Sequence, residues 1–310
     1  MSVAAGKRVG ARGAGTRPET IADAVIDWFE REARELPWRG AAGEIDPWAV
    51  LVSEFMLQQT QASRVIPFFE AWMRRWPRPS DLAAEAPGEA VRAWGRLGYP
   101  RRALWLHRAA VQLATEHGDE VPRDVEALLS LTGIGPYTAR AVASFAFADR
   151  HPVVDTNTRR VIARLVHGLA AAGPPRASDL DDMERLLPDD PVRARLFNAA
   201  AMELGAVVCT ARTPACEACP VASWCEWRGS GYPDNAPIVR RQASFEGSDR
   251  QIRGRIMALL RTAPEAVPTE QALAAAAEGG TRDAGQAQRA YDSLIADGLM
   301  IEFEEGVRLP

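Results

Sequence analysis

Lysine is almost absent from this chain of 310 residues, in which Lys7 is the only one and every other basic residue is an arginine. A mechanism that uses a lysine amine as its nucleophile therefore has no candidate beyond residue 7. The chain also lacks any run of about 18 uncharged apolar residues, which excludes a helical membrane span. Residues 1–18 hold four basic residues, no acidic ones and no apolar core. We interpret them as a disordered basic tail rather than a secretory signal.

Acidic and basic residues nearly balance, with a formal net charge of −4, so the overall charge gives no indication of a nucleic-acid partner. Hydrophobic residues make up 47% and charged residues 25% of the chain, a composition typical of a globular protein that buries a core. The length predicts roughly two domains.

Apolar residues recur at helical spacing from residue 18 to about residue 227, as in Ile21, Val25, Trp28 and Phe29. No sustained alternating pattern interrupts this region, so the sequence predicts an all-α fold class. A stretch rich in glycine, proline and serine follows, and we interpret 229–244 as a linker.

Residues 245–310 have a different pattern, with three short helical segments followed by a hairpin-like sequence from Gly298 to Leu309. This order is typical of a winged-helix-like module, a class that often enters the DNA major groove. The module holds seven arginines against eleven acidic residues. Its charge favours a packing or protein-contact role over DNA binding.

All four cysteines of the chain, Cys209, Cys216, Cys219 and Cys225, lie on one short segment with C-x6-C-x2-C-x5-C spacing. Four thiolates so close together favour a metal centre over disulfides in a chain without a secretory signal. The spacing favours a 4Fe-4S cluster. Zinc is the alternative, although its sites usually use two CxxC pairs and only one is present. A structural role for the centre is at least as well supported as electron transfer.

Two glycines separated by one residue, Gly133 and Gly135, lie between two predicted helices, the second of which begins at Pro136. We expect both glycines to permit positive φ angles and the close approach of another backbone. The free N–H groups at the start of the second helix would then suit a DNA phosphate.

Glu54 is the only charged side chain in the predicted helix that begins at Asp46-Pro47. This helix is apolar on two opposite faces, so we expect it to be buried. Burial would raise the pKa of Glu54 and allow it to hold a proton for acid catalysis.

Asp155 follows an extended segment and precedes a predicted helix, so it has the position of an N-cap. Hydrogen bonds from backbone N–H groups favour the anion. A protonated Glu54 and an ionised Asp155 would form the pair of carboxyl groups that cleaves a glycosidic bond through an oxocarbenium-like state.

These motifs together resemble the helix-hairpin-helix glycosylase superfamily with an iron–sulfur loop, and within it the MutY-type adenine DNA glycosylases. The resemblance covers about residues 28–224. The motifs that carry it, besides the hairpin, Asp155 and the cysteines, are Leu36–Arg39, Ser53–Gln61 and Leu97–Tyr99. It implies two lobes: a six-helix domain at 41–151 with the helix-hairpin-helix, and a cluster domain formed by 19–40 plus 152–228.

The resemblance implies a monofunctional enzyme of base excision repair, a monomer that removes adenine opposite 8-oxoguanine or guanine in double-stranded DNA. The adenine would be flipped into a pocket. Glu54 would protonate adenine N7 and help to activate water, Asp155 would stabilise the sugar cation, and Tyr137 and Asn157 would support them. The residues that match substrate contacts are Trp38, Arg39, Leu57, Gln58, Gln59, Thr60 and Tyr99. Gln59 and Tyr99 match residues that enter the duplex. The expected location is the bacterial cytoplasm, associated with the nucleoid.

The sequence departs from this family pattern at three positions: Thr156 replaces a glycine, Pro100 a second tyrosine, and Ala199 a residue that often contacts the base. No MutT-like C-terminal domain follows the cysteines. Tyr137 stands where bifunctional relatives carry a lysine, which argues against strand cleavage. Two alternatives stay open. The first is a different glycosylase, either mismatch-specific for thymine or uracil or similar to endonuclease III. The second is a non-enzymatic iron–sulfur regulator that binds DNA.

Overall fold

The computed structural model describes residues 20–40, 45–236 and 244–310. The basic tail at 1–18 and part of the predicted linker lie outside these ranges. The described residues are mostly helical, which confirms the predicted fold class. The α-helices are α1 Ile21–Glu32, α2 Pro47–Leu57, α3 Ala62–Arg75, α4 Pro79–Ala83, α5 Pro87–Trp94, α6 Arg101–Glu116, α7 Val125–Ser130, α8 Pro136–Phe147, α9 Thr156–Leu165, α10 Ser178–Leu186, α11 Pro191–Val207, α12 Glu226–Gly229, α13 Asp249–Thr262, α14 Thr269–Ala277 and α15 Gln286–Ala296.

Strand structure in the described ranges is limited to one antiparallel hairpin near the C-terminus, β1 Ile301–Phe303 and β2 Gly306–Arg308. Val307 also forms a bridge to Val267, which ties the hairpin to the start of α14. Two short 3-10 helices lie at Pro37–Arg39 and Cys216–Ala218. None of the described helices has the length and apolarity that a membrane crossing requires.

Two hydrophobic cores organise the molecule. The larger core joins α2 to α8 with the C-terminal helices, and three buried tryptophans meet edge to face within it, Trp72 with Trp76 and with Trp94. The smaller core joins α1 to α9, α10 and α11. The chain therefore returns from the large core to pack on its own first helix, as a two-lobed fold requires. The exact domain boundaries stay a prediction.

Helix α2 begins as the sequence predicts, because the Asp46 side chain accepts a hydrogen bond from the Trp48 N–H at 2.9 Å and Pro47 occupies the first turn. The Trp48 indole then donates to the Trp76 carbonyl at 3.0 Å. All residues from Val50 to Met56 are buried. The helix is therefore enclosed on both faces, and Glu54 is carried into the interior with it.

The two glycines of the hairpin between α7 and α8 have different backbone conformations. Gly133 has φ +82°, and a Cβ there would lie 2.6 Å from the Cβ of Trp105, so only glycine fits. Gly135 has φ −100°, an ordinary angle for any residue. Both glycines permit a positive φ, but only Gly133 adopts one, because Pro136 fixes the start of α8 with the preceding residue extended.

Candidate active site

A cleft of about 870 Å³ lies between the two cores. It brings together residues that are far apart in sequence, from the Pro37–Arg39 turn, α2, α8, α9 and α11. The predicted site residues that line it are Trp38, Arg39, Glu54, Leu57, Gln58, Gln59, Thr60, Tyr137, Asp155 and Asn157. Tyr99, Gly133, Gly135 and the four cysteines are not part of its wall.

Glu54 lies in this cleft with only 6% of its surface exposed. Burial, reinforced by the negative charge of Asp155, raises the pKa of Glu54 to about 7, although a hydrogen bond from Tyr137 opposes the shift. A carboxyl group with this pKa holds a proton in a large fraction of molecules at neutral pH. The expectation that burial raises the pKa of Glu54 is met by the structure.

Tyr137, at the second position of α8, is the hydrogen-bond partner of Glu54. Its pKa is raised well above its ordinary value, first by burial and then by the charges of Glu54 and Asp155. The phenol therefore stays protonated and can only donate to the carboxylate. Tyr137 thus fixes the orientation of Glu54 without exchanging a proton itself.

Asp155 caps α9, as its sequence position predicts. Its Oδ1 accepts a hydrogen bond from the Thr158 N–H at 2.7 Å, and its Oδ2 accepts one from the Asn157 amide nitrogen at 2.8 Å. The carboxylate of Asp155 is therefore held by a backbone donor and a side-chain donor at the N-terminus of α9. The cleft thus contains one carboxyl group that is shielded from water, Glu54, and one whose two oxygens accept hydrogen bonds, Asp155.

Asn157 also connects Asp155 to the cysteine segment. Its side-chain oxygen accepts a hydrogen bond from Arg160 at 2.9 Å, and the same guanidinium donates to the carbonyls of Cys209 and Gly205 at 2.7 and 2.5 Å. A Cβ on Gly205 would lie 2.7 Å from the Cβ of Asn157, so α11 presses directly on the start of α9. Arg160 therefore bridges the first cysteine and the residue that holds Asp155.

The sequence analysis did not identify Glu203 and Arg34, which form an ion-pair network with Arg39 at the cleft wall. Glu203 is buried, with 1% exposed, and its oxygens lie 2.6 Å from Arg34 Nε and 2.8 Å from Arg39 Nη2. Burial opposes ionisation, but the two arginines lower the pKa of Glu203. The sequence signal that could have identified Glu203 was a single carboxylate within an otherwise apolar stretch of α11. Its partners lie more than 160 residues away, which periodicity does not reveal.

The apolar side chains that α11 contributes to the cleft wall beside Glu203 include Leu196, Ala199 and Met202. Ala199 therefore contributes no polar atom to this wall, as the departure from the family pattern predicted. Trp38, predicted for the pocket, is 9% exposed and packs edge to face on Phe69 with ring centroids 5.4 Å apart.

Two exposed turns project beside the cleft, and each contains a non-glycine residue in the left-handed region, Gln59 at φ +55° and Tyr99 at φ +47°. A positive φ at a non-glycine residue is uncommon, and such residues are enriched at functional sites. The buried Arg102 guanidinium ties the two turns together, because it donates to the Gln58 carbonyl at 2.7 Å and to the Gly98 carbonyl at 3.1 Å. Burial lowers the pKa of Arg102 to about 10, so it remains charged at neutral pH.

The start of α8 offers a surface suited to an anion. A Cβ added at Gly135 would meet nothing within 4 Å, so the backbone at the helix N-terminus is open to an approaching group. The free N–H groups of a first turn bind phosphate well. The two glycines thus have different roles. Gly133 permits a tight turn against Trp105, and Gly135 leaves the N-terminus of α8 accessible to an anion.

The four cysteines line one small cavity of about 30 Å³ together with Arg164 and Trp227. Among the described residues, no three His, Cys, Asp or Glu side chains are placed to hold a metal ion. Four thiols that surround a shared space supply the set of four cysteine ligands that an iron–sulfur cluster uses. Arg164 closes one side, donating to the Thr210 carbonyl at 2.7 Å and lying over the Trp227 ring at 4.5 Å.

Comparison with known proteins gives two family matches. Residues 52–174 match the HhH-GPD superfamily of base excision DNA repair proteins, and residues 209–225 match the iron–sulfur binding domain of endonuclease III. The second match, with the four cysteines, shows that the centre is a 4Fe-4S cluster.

Curated relatives extend the similarity to most of the chain. The chain is 49% identical over 293 residues to the adenine DNA glycosylase of Mycobacterium tuberculosis, covering 94% of each protein. It is 49% identical over 282 residues to that of Mycolicibacterium smegmatis, covering 91% of this chain and 93% of the relative. Among solved structures, a thermostable thymine-DNA glycosylase superposes with a TM-score of 0.60 at 27% identity, covering 67% of this chain and 95% of that one.

Proposed function

This chain belongs to the adenine DNA glycosylase family of the HhH-GPD superfamily, and we propose that it removes adenine paired with 8-oxoguanine or guanine in double-stranded DNA. The observation that carries the proposal is the pair of carboxyl groups in one cleft, with the pKa of Glu54 raised to about 7 beside Asp155. One supplies a proton to a leaving base and the other stabilises a developing positive charge.

The first step of the proposed mechanism is protonation of the base. Adenine, rotated out of the helix, would enter the cleft beside Trp38 and Leu57, which line its wall. Glu54, oriented by Tyr137, would then give its proton to N7 and weaken the bond to the sugar. The anion of Glu54 that remains can accept a proton from the attacking water.

Asp155 would stabilise the sugar as its bond to the base breaks. Its two hydrogen bonds, from Thr158 and Asn157, hold the carboxylate in one orientation before the substrate arrives. Preorganised charge of this kind costs no rearrangement during the reaction. The cluster, when bound, supplies the bonds that hold the cysteine segment together, and Arg160 connects this segment to Asn157.

Contact with the opposite strand would come from the two strained turns. Gln59 and Tyr99 are exposed and lie in the left-handed region, and Arg102 fixes the two turns to each other. They would fill the space that the flipped adenine leaves, while the open N-terminus of α8 at Gly135 binds a backbone phosphate. We propose that the protein acts as a monomer at the nucleoid and, without a lysine in the site, leaves the strand uncut.

The test is excision from matched duplexes that carry A:8-oxoguanine, A:G, T:G or U:G, followed by alkali to cut at abasic sites. We expect cuts in the adenine duplexes only, and none when alkali is omitted. Glu54→Gln should abolish them, whereas Glu116→Gln, an exposed carboxyl at the end of α6, should not. Preferential cutting of T:G or U:G would contradict the proposal.

A further inference from the structure

The C-terminal module, residues 245–310, docks on the part of the large core that precedes and follows Tyr99. One anchor is Arg92, near the end of α5. Its Nη1 donates to the Leu260 carbonyl at 3.2 Å and to the Arg261 carbonyl at 2.7 Å. These carbonyls lie in the last turn of α13, which has no N–H partners of its own for them. The anchor therefore satisfies acceptors that the helix leaves open.

A second anchor is at the start of α5. The Gly88 N–H donates to the carbonyl of Pro310, and a Cβ added at Gly88 would lie 2.5 Å from that oxygen and 3.0 Å from the Cβ of Leu309. The close approach therefore depends on glycine at this position. Leu309 itself is buried, with 5% exposed, as part of the large core.

A third anchor joins the module to the first residue of α6. Arg101 Nη1 lies 3.0 Å from Asp297 Oδ1, at the end of α15, and Arg253 of α13 binds the other oxygen of the same carboxylate. Arg253 also donates to Ser293 at 2.6 Å. Asp297 is therefore held by its own module while it binds Arg101, two residues after Tyr99.

The segment between these anchors is the turn that carries Tyr99. The Trp94 indole, at the end of α5, donates to the Gly98 carbonyl at 2.9 Å, so a shift of α5 is passed to the turn directly. The module holds both helices that flank this turn. Its surplus of acidic residues over arginines disfavours direct binding of phosphate, so contact with the protein is the better explanation for its position.

We propose that the C-terminal module braces the Tyr99 turn and thereby sets the preference for 8-oxoguanine over guanine opposite the adenine. The inference rests on the proposed function, in which Tyr99 contacts that opposite base. A displaced Tyr99 would lose contacts that distinguish the two purines, while Glu54 and Asp155, which take part in none of the three anchors, would still act on the adenine. The module would thus be a positioning element for specificity.

The experiment compares two pairs of glycine and aspartate variants in the full-length protein. Gly88→Ala should displace the end of the module, whereas Gly254→Ala, in α13 of the same module, adds a Cβ that meets nothing within 4 Å. Asp297→Ala removes the bond to Arg101, whereas Asp283→Ala removes an ion pair with Arg289 that stays inside the module. Single-turnover excision is measured for each on A:8-oxoguanine and A:G duplexes.

We expect Asp297→Ala to lower the ratio of the two rates about two- to fivefold, and Gly88→Ala to lower it about tenfold. The two controls should keep the ratio of the unmodified protein. Reaction amplitudes report the active fraction, so partial unfolding cancels in the ratio. Unchanged ratios in both test variants would overturn the brace. Absence of adenine excision by the unmodified protein would instead overturn the proposed function.

Discussion

Glu54 and Asp155 face the same cleft but are held in opposite ways. Glu54 lies in the interior of α2, surrounded by apolar side chains, and its one polar support is the Tyr137 hydroxyl. Asp155 lies one residue before α9 and accepts hydrogen bonds from a backbone N–H and from Asn157. Exclusion of water tunes the first group, and donors tune the second. Two carboxyl groups of the same chemistry therefore lie in contrasting environments within one cleft.

The comparison extends to the helices themselves, because both begin with an aspartate cap. Asp46 caps α2 far from the chemistry, whereas Asp155 caps α9 within it. The same sequence signal, an aspartate before a helix, thus stabilises only the helix at Asp46, whereas at Asp155 it also places a carboxylate in the cleft. Only the tertiary contacts decide which.

The largest effect is expected for Glu54→Gln, since glutamine cannot give up a proton to the base. The single-turnover excision rate on A:8-oxoguanine should fall about 10²- to 10⁴-fold. Binding of the same duplex, measured by fluorescence anisotropy, should stay within a few-fold of the unmodified protein. If Glu54→Gln excised adenine at the original rate, Glu54 would not be the acid in this reaction.

Asp155→Asn should lower the excision rate about 10²- to 10³-fold, because the charge that stabilises the sugar cation is lost. Asparagine is as good a helix cap as aspartate, so the melting temperature should change little. Asp46→Asn is the matched control, with the same substitution at the cap of α2, and should leave both the rate and the melting temperature unchanged. If Asp155→Asn kept the original rate, capping rather than charge would be what matters at Asp155.

The two walls should also respond differently to pH. Since Glu54 must be protonated to act as the acid and its pKa is about 7, kcat/KM should fall about tenfold for each pH unit above this value. The unfolded carboxyl has a pKa near 4.5, so the folded state binds the extra proton between these values. The contribution of Glu54 to stability is therefore largest below pH 4.5, and it declines by about 3 kcal/mol as the pH rises from 4.5 to 7.

Chemical unfolding at pH 5 and at pH 8 measures this decline directly. In Glu54→Gln the contribution should vanish, so the variant should lose less stability than the unmodified protein over the same interval. If the two proteins showed the same pH dependence, Glu54 would not be the group that titrates.

A smaller effect is expected for Arg160→Met, which retains the bulk of the side chain but removes the donors to Asn157 and to the Cys209 carbonyl. Asp155 would keep its bond to the Thr158 N–H, so we expect about a tenfold loss of rate from imperfect orientation. Iron content and the cluster absorbance should be measured in the same preparation. A loss of rate only in proportion to lost iron would assign Arg160 to cluster retention rather than to Asp155.

Local signals account for the parts of this structure that the sequence predicts well. Asp46-Pro47 and Asp155 mark the starts of α2 and α9, and the three short helices predicted before the C-terminal hairpin are observed as α13, α14 and α15. Burial of Glu54 follows from apolar residues on both faces of one helix. Each of these features depends on neighbours within a few residues.

The features that the sequence analysis missed depend on distant neighbours. Glu203 meets Arg34 and Arg39 across more than 160 residues. Arg102 finds its acceptors among main-chain carbonyls, which every residue carries and no pattern marks. The sequence also does not show which of the two hairpin glycines adopts a positive φ, because the contact of Gly133 with Trp105 comes from another helix.

The guanidinium of Arg102 has a further consequence for how the protein would search along DNA. Because one side chain fastens the Gln59 turn to the Tyr99 turn, we expect both to probe a base pair as a rigid pincer, in one motion with one energy barrier. A well-stacked base pair would then resist both turns together, and the protein would move on along the DNA without separating the two strands. The two turns would then enter the duplex in one step rather than one after the other.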